Sequence, residues 1–137
     1  MVNIKFEGYW REINKDGVPK KSGVYCVYEC KYNADEKTVS LKKLIYIGEA
    51  ENVNDRISNH EKLSKWNKEV ANGNTLCYSF APVENSSRTR VEAALIFHHK
   101  PSVNTEYKDK FPFDQTHIKT EGMNAFLSKS FTVNKME

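Results

Sequence analysis

The sequence predicts an α+β domain, a small antiparallel sheet with helices packed on it, in the order strand, strand, helix, strand, helix. Three observations carry this reading. Residues 23–30 and 41–48 are rich in β-branched and aromatic side chains, as strands are. Residues 52–70 switch to apolar positions recurring at intervals of three and four, the period of a helix face. A further apolar run at 76–82 precedes a second helical stretch that Pro101 stops.

Taken in order, the first 22 residues read as irregular. Asp16-Gly17 is a turn signal, Pro19 follows it, and Phe6, Tyr9 and Trp10 are expected to pack on the domain as a cover. The run from Gly23 to Cys30 is the first strand and Leu41 to Gly48 the second. With a turn at Asn33-Ala34-Asp35 they form an antiparallel hairpin with a long loop. Val53, Ile57, His60, Leu63, Trp66 and Val70 make the apolar stripe of one amphipathic helix, which Asn52 or Asn54 caps and Asn72-Gly73 ends. Leu76 to Pro82 is the third strand. Asn85-Ser86-Ser87 offers caps for a second helix running to about His99, with Val91, Ala94, Leu95 and His98 on one side. Beyond residue 108, Met123 to Leu127 is expected as a short helix and the last six residues are expected to fray. The whole reads as one domain over 1–137, with a core at about 22–107, an N-terminal cover at 1–21 and a C-terminal extension at 108–137.

A length of 137 residues fits one domain, and 39% hydrophobic with 28% charged residues is a globular balance. No apolar run approaches the roughly 18 residues that span a bilayer, and the first residues lack a signal-peptide core. A cytoplasmic protein without membrane association is therefore expected. A net charge of +3 permits a polyanionic partner without demonstrating one. Cys26, Cys30 and Cys77 are odd in number, so buried free thiols are expected rather than a disulfide framework. Zinc on Cys26 and Cys30 would need further ligands, for which His98 and His99 are the candidates.

Several residues could carry chemistry. If the first two strands pair, Tyr25 and Tyr46 project from neighbouring strands on one face. Arg56 and His60 are four apart and would sit one above the other on one helix. Glu92 falls in the first turn of the second helix, and Asn104 follows Pro101. Hydrolysing a phosphodiester needs a base for water, a cation for the growing charge and support for the leaving oxygen. Arg56 can clamp phosphate oxygens through its fork of donors. Glu92 can hold a hard divalent cation. A phenol or His60 can serve as the base. Singly, each has a plainer reading. Tyrosines pack in strands, an Arg and a His at helical spacing usually mark a solvated face, Thr89-Arg90-Val91-Glu92 fits a capping box, and Asn104 suits a turn.

Together and in this order the residues resemble the GIY-YIG nucleases. Gly23-Val24-Tyr25 is similar to the first half of the motif, with Val for Ile, and Tyr46-Ile47-Gly48 matches the second half. Arg56 follows as the helix arginine and His60 stands four residues on. Glu92, opening Glu92-Ala93-Ala94-Leu95-Ile96, resembles the metal-ligand glutamate, and Asn104 the asparagine that closes the domain. Twenty residues separate the two motif tyrosines, more than the family usually shows, which an enlarged hairpin accommodates.

The resemblance implies a small three-stranded antiparallel sheet flanked by helices and a metal-dependent DNA endonuclease. Glu92 would bind Mg²⁺ or Mn²⁺, Arg56 would contact the scissile phosphate, and Tyr25 or Tyr46 would activate water with help from His60. Asn104 would support local structure, and Trp66 stands where a further aromatic often assists the site. Lys62, Lys65 and Lys68, with Arg88 and Arg90, could line a phosphate-binding surface. The second reading is a nucleic-acid-binding module on the same fold that does not cut. Retention of Tyr25, Tyr46, Arg56 and Glu92 argues for cutting. No targeting-domain motif is visible, so cutting by DNA structure or with low specificity, a restriction-type homodimer, or a separate targeting partner is expected.

Overall fold

A computed structural model describes residues 1–137. Its strands are β1 (Val2–Arg11), β2 (Gly23–Asn33), β3 (Thr38–Ala50), β4 (Thr75–Pro82), β5 (Thr116–Gly122) and β6 (Ser130–Val133). Its α-helices are α1 (Val53–Ser58), α2 (Leu63–Lys68) and α3 (Arg88–His99), and a 3-10 turn covers Glu12–Gly17. All six strands join one sheet in the order β3-β2-β4-β1-β5-β6.

The three-stranded antiparallel sheet expected from the sequence is therefore corrected. The sheet is six-stranded and mixed, it curls into a half-barrel, and 22% of the chain is helical. The difference lies in the two ends of the chain. Val2, Ile4 and Phe6 alternate with polar residues, the period of a strand with one buried face. Ile4 and Phe6 are buried, and β1 pairs antiparallel with β4 and parallel with β5. The segment expected as an irregular cover is thus an interior strand. In β5 the inward positions are Thr116, Ile118 and Thr120. Thr120 is buried because its hydroxyl donates to the Ser128 carbonyl at 2.8 Å. Residues 123–127 form no helix, and the C-terminus is tied down by paired backbone bonds between Phe111 and Met136 at 2.7 and 2.8 Å.

Two further expectations change. The helix expected over residues 52–70 is two helices, because Asn59 leaves helical geometry at φ −145°, ψ 61°. Asn52 does cap α1, its side chain accepting from the Asp55 amide at 3.1 Å. The cysteines are not all free thiols. Cys30 and Cys77 form a disulfide between β2 and β4, and Cys26 is buried alone, its thiol pushed up to about 12 by burial. His98 stacks on Phe131, and His99 accepts from the Ser128 amide and bonds the Leu95 carbonyl.

Two apolar clusters stabilise the sheet. One gathers Val24, Cys26, Tyr28 and Ile47 with Val91, Ala94 and Leu95 of α3, and extends to Ile4, Phe6, Ile118 and Phe131. The other gathers Tyr25, Val27, Tyr78 and Phe80 with Val53, Ile57 and Trp66 of α1 and α2. The alternation along β2 thus sends its side chains into both clusters, and Tyr25 goes with the short helices. No helix is long and apolar enough to cross a membrane.

Candidate active site

The register of β2 and β3 sets the first two groups. Tyr25 lies opposite Gly48, and Val27 opposite Tyr46. Residues two apart on a strand share a face, so both phenols stand on the same side, as the sequence predicts. Their ring centroids are 6.3 Å apart. Gly48 makes this possible. A Cβ there would meet Cζ and Oη of Tyr25 at 2.3 Å, so only glycine leaves the ring its place. Tyr25 is 1% exposed, while Tyr46 is only partly buried.

The break between α1 and α2 sets the next two. Arg56 and His60 do not share a helix face as expected, since α1 ends at Ser58. Instead the chain turns at Asn59 and drives His60 inward, to 5% exposure. The Asn54 side chain fixes α1 to the preceding turn by donating to the carbonyls of Asp16 and Val18 at 3.0 and 2.7 Å. His60 Nε2 stands 2.9 Å from Tyr25 Oη. Its Nδ1 accepts the Lys62 amide at 3.0 Å. A ring nitrogen that accepts cannot carry the proton, so neutral His60 is protonated on Nε2 and donates to the Tyr25 oxygen. Burial first, then the charge of Arg56, lowers the His60 pKa to about 4, which keeps it neutral. The ring packs on Trp66 at 4.3 Å between centroids, and Trp66 lies 5.4 Å from Tyr46, so this residue does belong to the group.

Arg56 is half-buried at the same place; burial raises both phenols, Tyr25 well above the ordinary tyrosine value, and the Arg56 charge only partly opposes that rise. Its fork is held by Glu61, with Nη1 to Oε2 at 2.5 Å and Nη2 to Oε1 at 2.7 Å. Glu92 comes from α3, which packs in the other cluster, yet its carboxylate acts electrostatically on both phenols. Burial and then the carboxylates of Glu49 and Glu106 push Glu92 up to about 8. Tyr46 is pushed up to about 12, by burial first and next by Glu92. No helix-capping bond occupies the α3 start: Ser87 is its N-cap and makes no side-chain bond, so the capping-box role for Glu92 is not realised.

The other expected residues fall in three groups. Asn104 acts on the backbone: its Oδ1 accepts the Ile47 amide and its Nδ2 donates to the Ile47 carbonyl, both at 2.9 Å. With Val103 donating to Ile45 at 3.0 Å, this pins the chain after α3 along the β3 edge. Lys62 belongs to the site, its Nζ 5.6 Å from the Tyr46 ring centre, and Lys65 is exposed on α2. Arg88 and Arg90 are engaged internally. Arg88 bonds Glu49 at 2.7 Å and Ser22 at 2.9 Å, while Arg90 bonds Thr116 at 2.7 Å and Gln115 at 2.8 Å.

Glu49, Glu61, Glu106 and Tyr107 were not singled out by the sequence. Glu49 directly follows the second motif and was open to notice. Glu61 is five residues from Arg56, a spacing that no regular helix brings together, so it became visible only with the break at Asn59. No three His, Cys, Asp or Glu side chains gather as a metal cluster. A divalent cation that keeps most of its waters needs only one or two carboxylates. Glu92 fits that role, because a carboxyl raised by burial and then by the acidic Glu49 and Glu106 is the group a cation would relieve. No family model, curated protein or solved structure matches the chain.

Proposed function

We propose that the chain is a metal-dependent endonuclease that hydrolyses phosphodiester bonds in DNA inside the cell. The observation that carries the reading is the Tyr25–His60 bond at 2.9 Å with Tyr46, Arg56 and Glu92 grouped around it, from β2, β3, α1 and α3. The resemblance of the same residues to the GIY-YIG nucleases supports it. Tyr46 is the phenol that meets water, since it is the more exposed of the two. As a base it must lose its own proton, which burial opposes first and the Glu92 carboxylate, when ionised, opposes next. Mg²⁺ or Mn²⁺ held by Glu92 would supply positive charge at this point. Arg56 steadies the phosphate oxygens, and Lys62 and Lys65 meet the neighbouring backbone. Tyr25 is held by the His60 donor, which sets its hydroxyl hydrogen toward the site rather than toward the histidine.

The test is cleavage of supercoiled plasmid and of a branched-DNA panel, with Mg²⁺ or Mn²⁺ and with chelator, beside the Glu92→Gln protein. Metal-dependent cutting that the variant lacks supports the proposal. A folded protein that cuts nothing in any of these conditions overturns it, and DNA binding without cutting would favour the module reading.

A further inference from the structure

We propose that Glu61 holds the place of the substrate phosphate on Arg56 and is displaced when DNA enters, so that it sets which anions the site accepts. This rests on the reading of Arg56 as the phosphate contact. The pair is fork on fork, with each Nη of Arg56 on its own oxygen of Glu61 at 2.5 and 2.7 Å. That is the two-point geometry with which a guanidinium also grips two phosphate oxygens. Glu61 therefore imitates the ligand in shape and in charge.

Its setting makes it exchangeable. The Glu61 side chain is 63% exposed, and it returns to water when released. An exposed ion pair adds little to stability, so the fold loses little when the partner changes. The Arg88–Glu49 pair shows the contrast. Its side chains are 17% and 23% exposed, and Ser22 and Asn85 also bond the guanidinium, which builds it into the fold. Glu61 instead lies in the link between α1 and α2, where no helix constrains it. Both Arg56 and Glu61 act on the Tyr25 and Tyr46 phenols, so the exchange takes place in front of the site. A single phosphate competes with Glu61 on equal terms. A duplex brings further phosphates to Lys62 and Lys65 and wins the exchange. The carboxylate thus raises the threshold for every anion alike, and a polyanion with several contacts clears it.

The experiment measures affinity for a short duplex and for inorganic phosphate, with chelator present so that nothing is cut. It compares the wild type, Glu61→Gln, Arg56→Ala and the double variant, with Glu61→Ala as a second removal of the charge. Glu61→Gln is expected to tighten both ligands about three- to fivefold, the size of a lost exposed pair. In the Arg56→Ala background the same change is expected to do nothing. An equal gain without Arg56, or no gain in either Glu61 variant, overturns the proposal. If phosphate tightens through Arg56 while no protein binds duplex, the placeholder stands and the DNA reading falls. If duplex binds equally tightly with and without Glu61, the placeholder falls and the DNA reading stands.

Discussion

Tyr25 and Gly48 face each other across β2 and β3, and the phenol fills the space that any side chain at position 48 would need. The second half of the motif is thus partly a packing requirement. Gly48→Ala would place a methyl 2.3 Å from the Tyr25 ring, which is 1% exposed and has no room to retreat. Overpacking of this kind costs about 1–3 kcal/mol. The expected outcome is a lower Tm together with loss of cutting, since the ring must leave His60. A variant with unchanged Tm and activity would contradict the packing.

Glu92→Gln should abolish cutting and leave DNA binding largely intact. It should also change the pH dependence of stability. Glu92 is raised to about 8 in the fold, above its unfolded value, so the native state holds the extra proton between those values. The associated stability is present below the unfolded pKa and is lost as pH rises through about 8. Thermal melts of the metal-free proteins should show Glu92→Gln gaining on wild type as pH rises, by up to about 5 kcal/mol at the alkaline end. Parallel curves would remove the burial argument.

His60 is shifted the other way. Its folded pKa of about 4 is below the unfolded value, so stability falls as pH drops from the ordinary histidine range toward 4. His99 is also lowered to about 4 and shares that window. Replacing His60 by Gln should therefore flatten part of the acid slope, not all of it. The ring proton signals of His60 in NMR should show no titration near pH 6.5. A midpoint there would contradict the burial of the ring beside Arg56.

Arg56→Ala should slow cutting at least about a hundredfold, as loss of a charge contact to the transition state does. Arg56→Lys should recover little, because lysine keeps the charge and loses the fork. Rescue by lysine to within about threefold of wild type would reduce Arg56 to a general positive charge.

Much of this site was legible in the sequence because its residues sit in strongly patterned elements. The alternation in β2 and β3 placed Tyr25 and Tyr46 on one face, and the α3 residues Val91, Ala94 and Leu95 fell on a buried side. What was missed has physical causes. Val2, Ile4 and Phe6 do alternate, but three strong apolar positions are a weak strand signal beside the turn residues at 16–19. In β5 the inward Thr116 and Thr120 are polar and read as surface, since their satisfaction by backbone partners is not written in the pattern. His60 fell on the apolar stripe of a longer helix, so the break that gives it to Tyr25 was hidden by its own periodicity.

The parallel pairing of β1 with β5 joins Val2–Phe6 to Ile118–Gly122. Such a contact closes nearly the whole chain into one loop, and long-range closures are slow steps in folding. During synthesis β1 can zip onto β4 at once, but its other edge stays open until the last strands have been made. An open edge is a template for pairing with another chain. Expression yield should thus depend on how quickly the last part of the chain is supplied, and shortening it should produce aggregates rather than a smaller soluble core.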